Sequence, residues 1–256
     1  MARIKERLGV YVASERQLEI SGDWRRARGQ VPIIWVRGFF GNGWTLQRGA
    51  GAVSGEVYGR PFRLIADRLG LVVASADFAG GSLATTWAVD TVVGTGGRID
   101  ALITWMGTNL GTRTDRVIIM GDSMGSLEAL NWAWRNHTRV VAIYVRAPIV
   151  RFQGFWDANP TFQGIIDTAW GNHATWLAGL PTHDPAQNMA ALSILGPKTF
   201  LQYTGQDELI PPTWIVDYAA TTGARLNYGH GNHEANVFAD GAPVAEWLAD
   251  RIKSAA

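Results

Sequence analysis

A serine with a glycine two positions away on each side is the residue of this chain best suited to chemistry. Residues 121–125 read Gly-x-Ser-x-Gly around Ser123, after a β-branched stretch at 116–120 and before a helical pattern at 126–134. A serine between a strand and a helix lies on a tight turn, where the two glycines avoid clashes with both elements. This arrangement predicts a nucleophile, although the pattern also arises by chance in a chain with 30 glycines.

A serine hydroxyl needs a base within hydrogen-bond reach, and the base needs a carboxylate to orient it. In open parallel sheets such groups collect at the carboxyl ends of the strands. Of the five histidines, His230 and His233 directly follow the last predicted strand. The other three lie after the nucleophile helix or inside segment 151–195, so the base is expected to be His230 or His233.

Asp207 is the candidate carboxylate. It lies in a turn after the predicted strand 198–203, and the prolines at 211–212 begin a new helix. An aspartate in this position is also suited to cap that helix, and the two roles can coexist. Asp184, before Pro185, has the same capping pattern but follows no strand.

The remaining pattern predicts the frame that positions these residues. Continuous apolar strands alternate with helices, which is typical of an α/β protein with a mostly parallel sheet and helices on both faces. We expect a hairpin at 8–20, strands at 31–36, 71–76, 116–120, 140–145, 198–203 and 224–228, and helices at 58–69, 93–110, 126–134 and 242–254. Segment 151–195 interrupts the alternation and is predicted to be a short inserted cap within a single domain, 1–256, with a long irregular crossover as the alternative.

Composition excludes several classes of function. Hydrophobic residues make up 47% of the 256 residues and the net charge is +1, which predicts a sizeable core and no nucleic-acid partner. The absence of cysteine excludes a thiol nucleophile and thiolate metal sites. There is no His-Glu-x-x-His, phosphate-loop or dinucleotide motif, so neither a metal nor a cofactor is expected. No apolar run is long enough to span a membrane, and residues 1–7 do not resemble a secretory signal.

From about residue 30 to the C-terminus, the chain resembles the α/β-hydrolase superfamily, in particular its serine esterases and lipases. The resemblance is carried by four segments: the elbow at 121–125, the acid loop at 204–212, a shortened Asp-x-x-Gly turn at 77–82, and residues 36–41. The last segment resembles the family's oxyanion loop, with Arg37 where the family usually has histidine.

The resemblance implies the α/β-hydrolase fold, with Ser123 as nucleophile and Asp207 as acid. The family's histidine follows the acid by somewhat under thirty positions, which favours His233, whereas the spacing to residues 247–248 favours His230 as the alternative base. The backbone N–H groups of Met124 and Phe39 are implied as oxyanion donors, with Phe40 the next choice for the second.

These residues predict an enzyme that cleaves carboxylic esters through an acyl-enzyme, acting on a small-molecule or polymeric ester. The aromatic residues of segment 151–195 suggest an apolar acyl or aryl group in the pocket. A peptidase, thioesterase or acyltransferase with the same residues is the alternative within catalysis. A surface- or polymer-binding module of a larger assembly is the alternative outside it.

Overall fold

The computed structural model describes residues 18–21, 24–36, 62, 64–76, 97–233 and 242–255. Most of the predicted hairpin at 8–20, the loop that holds Phe39 and Phe40, and the turn at 77–82 lie outside these residues.

Seven strands form one sheet in the described part of the chain. They are β1 (Leu18–Ser21), β2 (Ile33–Val36), β3 (Val73–Ala76), β4 (Val117–Asp122), β5 (Val140–Arg146), β6 (Thr199–Tyr203) and β7 (Arg225–Tyr228). Their order across the sheet is β1-β3-β2-β4-β5-β6-β7. β1 runs antiparallel to β3, and every other neighbouring pair is parallel. The mostly parallel sheet predicted from the sequence is therefore confirmed.

Helices connect the strands. They are α1 (Gly97–Leu110), α2 (Met124–Arg135), α3 (Phe152–Ala158), α4 (Pro160–Ala169), α5 (His173–His183), α6 (Met189–Leu192), α7 (Pro212–Thr222) and α8 (Ala242–Ser254), and residues 64–69 are also helical. Proline at the first position of α7 suits a helix start, and Gly223 ends that helix in the left-handed conformation, at φ 78°.

The sheet buries side chains on both faces because successive residues of a strand point to opposite sides. Ile34 and Ile119 belong to the core cluster that includes the apolar residues of α1 and α2. Their strand neighbours Ile33 and Met120 belong to a second cluster, with Phe62 and the apolar residues of α8. Helices thus cover both faces of the sheet, as the sequence predicts.

The chain between β5 and β6 is helical. It holds α3 to α6 and two short 3₁₀ segments, and its buried aromatic residues join the core cluster on the α1–α2 face. Asp184 connects its parts: the carboxylate accepts the backbone N–H groups of Phe152 (2.9 Å), Gln153 (3.2 Å) and Ala186 (3.0 Å). The capping role indicated for Asp184 is therefore present, at the start of a 3₁₀ turn and of α3.

Trp176 is the centre of this segment's aromatic cluster, and its loss should destabilise the fold. The side chain is fully buried, with its ring centroid 5.3 Å from that of Trp156 and 5.6 Å from that of Phe152. We expect Trp176→Ala to lower the free energy of unfolding by about 3–5 kcal/mol, because it leaves a cavity. Urea denaturation followed by circular dichroism measures this. The neighbouring Leu177→Ala, at a side chain 39% exposed, is the control, and equal effects of the two changes would contradict the prediction.

Candidate active site

Ser123 lies on a tight turn between β4 and α2, as its flanking sequence predicts. Its backbone has φ 50° and ψ −122°, a conformation that residues other than glycine rarely adopt. Gly121 is required by packing. A Cβ at that position would lie 2.7 Å from the Cα of Ser126 and 2.9 Å from the carbonyl oxygen of Gly125. The strand and the nucleophile helix therefore approach each other as closely as a glycine allows.

Hydrogen bonds tie this turn to the end of the next strand. The backbone N–H of Ser123 donates to the carbonyl oxygen of Arg146, at 2.9 Å. The hydroxyl of Ser126, which is fully buried, donates to the carbonyl oxygen of Ser123 and accepts the N–H of Ile149, at 2.9 Å. The turn and the first residues after β5 consequently hold each other in place.

The structure brings Ser123, His233 and Asp207 into one hydrogen-bonded chain. The Ser123 Oγ lies 2.8 Å from Nε2 of His233. The other ring nitrogen, Nδ1, lies 3.0 Å and 2.9 Å from the two carboxylate oxygens of Asp207. The side chains of His233 and Asp207 are 9% and 1% exposed, so water has little access to the contact between them.

The other predicted site residues lie as follows. His230 is exposed, and its ring lies edge-on to the ring of Tyr228, with 5.9 Å between the ring centroids. Met124 is the first residue of α2, so its N–H is among the groups at a helix N-terminus that have no partner within the helix. Phe39 lies outside the described residues. Between the two candidate bases, His233 is therefore the histidine that contacts the serine.

Asp207 is held by its own loop. Its Oδ1 accepts the backbone N–H groups of Leu209, at 3.0 Å, and Ile210, at 2.9 Å. Asp207 is not the N-cap of α7, because Pro211 occupies that position. Asp207 caps the tight turn before that helix, and the same carboxylate still faces the imidazole.

Opposing effects leave the pKa of His233 raised above its ordinary value. Burial, the largest effect, lowers this pKa because a protonated imidazole loses its hydration. The hydrogen bond and charge of Asp207 raise it, and the charges of Asp122 and Glu208 raise it further. A raised pKa means that the ring accepts a proton more readily when the neighbouring hydroxyl releases one.

A buried ion pair beneath the turn was not anticipated from the sequence. Asp122 and Arg146 are 4% and 1% exposed, and they make two parallel hydrogen bonds of 2.8 Å each. They are register partners at the ends of β4 and β5. The guanidinium also lies 5.2 Å from the centroid of the Phe62 ring. The available signal was a charged residue at the end of each of two predicted strands, but pairing them requires the strand order.

The described residues contain no group of three or more His, Cys, Asp or Glu side chains that could hold a metal ion. Within the same ranges, no helix has the length and apolar character needed to cross a membrane.

Solved structures share this architecture. An α/β-hydrolase from the sediment metagenome of the Mar Chica lagoon in Morocco superposes with a TM-score of 0.56 at 16% identity, covering 93% of this chain and 96% of its own. An esterase of Pyrococcus furiosus gives 0.59 at 14% identity, with 88% and 82% covered. An S-formylglutathione hydrolase of Agrobacterium tumefaciens gives 0.57 at 16%, with 93% and 88% covered. The chain therefore has the α/β-hydrolase fold.

A comparison of sequences adds the class of enzyme. The family model Esterase, described as "Putative esterase", matches residues 99–209, which include the nucleophile turn and Asp207. No curated protein shows a significant match over its sequence. Together with the fold, this match indicates a carboxylic-ester hydrolase.

Gly121→Ala should destabilise the protein. The new methyl group would meet backbone atoms of α2, which cannot move aside as a flexible side chain can, so we expect a loss of about 1–3 kcal/mol in the free energy of unfolding. Gly164→Ala in α4 is the control. Nothing lies within 4 Å of that site, and alanine should stabilise the helix by about 0.5–1 kcal/mol. Chemical denaturation measures both, and a stabilising Gly121→Ala would contradict the packing described above.

Proposed function

We propose that the protein hydrolyses carboxylic esters through an acyl-enzyme, with Ser123 as nucleophile, His233 as general base and Asp207 as the acid that orients it. The observation that carries this proposal is the unbroken chain of hydrogen bonds from the Ser123 hydroxyl through both ring nitrogens of His233 to Asp207. A nucleophile in contact with a base, and a base in contact with an orienting carboxylate, is the arrangement that acyl transfer needs.

The reaction takes place in two half-reactions. Nε2 of His233 accepts the proton of Ser123 as Oγ attacks the ester carbonyl, and then gives that proton to the departing alcohol. Water next attacks the acyl-enzyme, losing its proton to the same nitrogen, and the acid product leaves as Ser123 is restored. Asp207 keeps the proton of the neutral ring on Nδ1, which leaves Nε2 free to act as base.

The negative charge of the tetrahedral intermediate needs two donors. We assign the backbone N–H of Met124 as one, because it lies at the N-terminus of α2 directly beside Ser123, where the helix dipole favours negative charge. The backbone N–H of Phe39 is the proposed second donor, on the strength of the family resemblance of residues 36–41.

Segment 151–195 is proposed as a cap inserted into a single hydrolase domain that spans 1–256. It leaves the sheet five residues after the last residue of β5, and Ile149 just before it is hydrogen-bonded to the nucleophile turn. Its interior is rich in tryptophan and phenylalanine. An apolar acyl or aryl ester, free or part of a polymer, is the substrate class that such a segment favours.

Ser123→Ala should abolish hydrolysis. Without the hydroxyl no acyl-enzyme forms, so turnover of p-nitrophenyl esters should fall by at least about 10³-fold and labelling by a fluorophosphonate should disappear. Ser254→Ala is the control, because that exposed hydroxyl lies in the last turn of α8. Turnover that persists in Ser123→Ala would rule out the proposed nucleophile.

The activity should fall on the acidic side of the pH profile. His233 must be neutral to accept a proton, and its raised pKa keeps it protonated to a higher pH than an ordinary histidine, so the acid limb of kcat/KM should be displaced upward. Asp207→Asn removes the carboxylate charge that raises this pKa. We expect the limb to move to lower pH while kcat falls by about 10³–10⁴-fold. A limb that stays in place in Asp207→Asn would show that it does not report His233.

A further inference from the structure

The loop that carries His233 is attached to the loop that carries Asp207. The histidine loop comprises residues 229–233, and the acid loop comprises residues 204–212. The N–H of Gly229 donates to the carbonyl oxygen of Tyr203 at 2.6 Å. The buried hydroxyl of Thr204 donates to the carbonyl oxygen of Gly231 at 2.7 Å. The first part of the histidine loop is thereby fixed to the end of β6 and to the acid loop.

Glu208 makes the last of these connections. One of its carboxylate oxygens accepts the backbone N–H of His233, at 3.0 Å. Two consecutive acidic residues therefore hold different parts of the same histidine. Asp207 contacts the ring at Nδ1, whereas Glu208 contacts the main chain. The hydrogen bond of Glu208 thus acts on the backbone of His233 and not on its ring.

We propose that Glu208 is a positioning residue, which fixes the main chain of His233 so that the ring nitrogen meets the Ser123 hydroxyl. The proposal rests on the function proposed above, in which His233 is the base.

Asp207 can set the rotation of the imidazole, but it cannot set where the Cα of His233 lies. A hydrogen bond from an N–H to a carboxylate is stronger than one between neutral groups, and this one acts directly on the backbone that carries the ring. Because a displacement of about 1 Å between reacting atoms is enough to lower a rate severely, the 2.8 Å contact of Ser123 with His233 depends on that backbone.

The charge of Glu208 has a second, separable effect. The carboxylates of Asp207, Asp122 and Glu208 raise the pKa of His233 against the effect of burial, and Asp122 is itself paired with Arg146. Removing the Glu208 charge should lower that pKa, whether or not the hydrogen bond to the main chain survives. The side chain is exposed, so its replacement leaves the core intact.

Two substitutions separate the hydrogen bond from the charge. Glu208→Ala removes both, whereas Glu208→Gln removes the charge and keeps a carbonyl oxygen that can accept the N–H of His233. We expect kcat for a p-nitrophenyl ester to fall by about 10-fold in Glu208→Ala, with KM little changed. Glu208→Gln should retain most of kcat. In both variants the acid limb of kcat/KM should move to lower pH.

Matched substitutions at Glu246 provide the control. Glu246 is an exposed residue of α8, a helix that packs on the sheet face opposite α2. Glu246→Ala and Glu246→Gln should leave kcat and the pH profile as in the unaltered protein. Thermal unfolding of all four variants establishes that each is folded at the assay temperature.

The outcomes distinguish the positioning role of Glu208 from the proposed ester hydrolysis on which it rests. An unchanged kcat in Glu208→Ala, or an equal loss of kcat in Glu208→Ala and Glu208→Gln, would overturn the positioning role. Either result would leave the proposed function standing, provided that hydrolysis is lost in Ser123→Ala. Hydrolysis that survives Ser123→Ala would instead overturn the proposed function itself, and the positioning role with it.

Discussion

The backbone of Ser123 has a left-handed conformation that costs a non-glycine residue about 1–3 kcal/mol. Contacts with the surrounding structure hold it in this conformation. β4 fixes the residues before the turn and α2 fixes those after it. Gly121 lets the strand and the helix come close enough for the turn to close. The hydroxyl of Ser126 then donates a hydrogen bond to the carbonyl oxygen of Ser123. A relaxed serine at this point would direct its hydroxyl elsewhere, and Nε2 of His233 would lose its contact with that hydroxyl.

The Asp122–Arg146 pair supports the same turn at the ends of β4 and β5. Burying two charges is costly, and a well-packed apolar pair often stabilises a protein as much or more. Here the pair connects the ends of two adjacent strands, and Arg146 also accepts the N–H of Ser123 through its carbonyl oxygen. The negative charge of Asp122 also raises the pKa of His233. The Asp122–Arg146 pair is therefore better explained by the geometry and electrostatics of the site than by a contribution to stability.

Features that depend on neighbouring residues could be predicted from the sequence, whereas contacts between distant segments could not. The nucleophile turn and the position of Asp207 are local patterns within a dozen residues, and both were identified from spacing and residue type. The choice between His230 and His233 stayed open because both lie in one loop, and only the three-dimensional path of that loop separates them. The Asp122–Arg146 pair and the contact of Glu208 with the main chain of His233 depend on register between distant segments, which no local pattern encodes. In segment 151–195 the helical pattern is weak in α5, which contains Pro181, and the other helices are short, so the segment was not identified as helical.

The position of β7 has a consequence for how activity can be lost. Ser123 and His233 are 110 positions apart, and the histidine follows β7, the last strand in the order of the described part of the sheet. The residues of β7 are exposed or half-buried, whereas β2, β4 and β5 are buried throughout. Local opening of a protein starts where the fewest apolar contacts resist it. Fraying of this edge would withdraw the base while the nucleophile turn stayed folded, so reversible inactivation and global unfolding are governed by different parts of the same sheet.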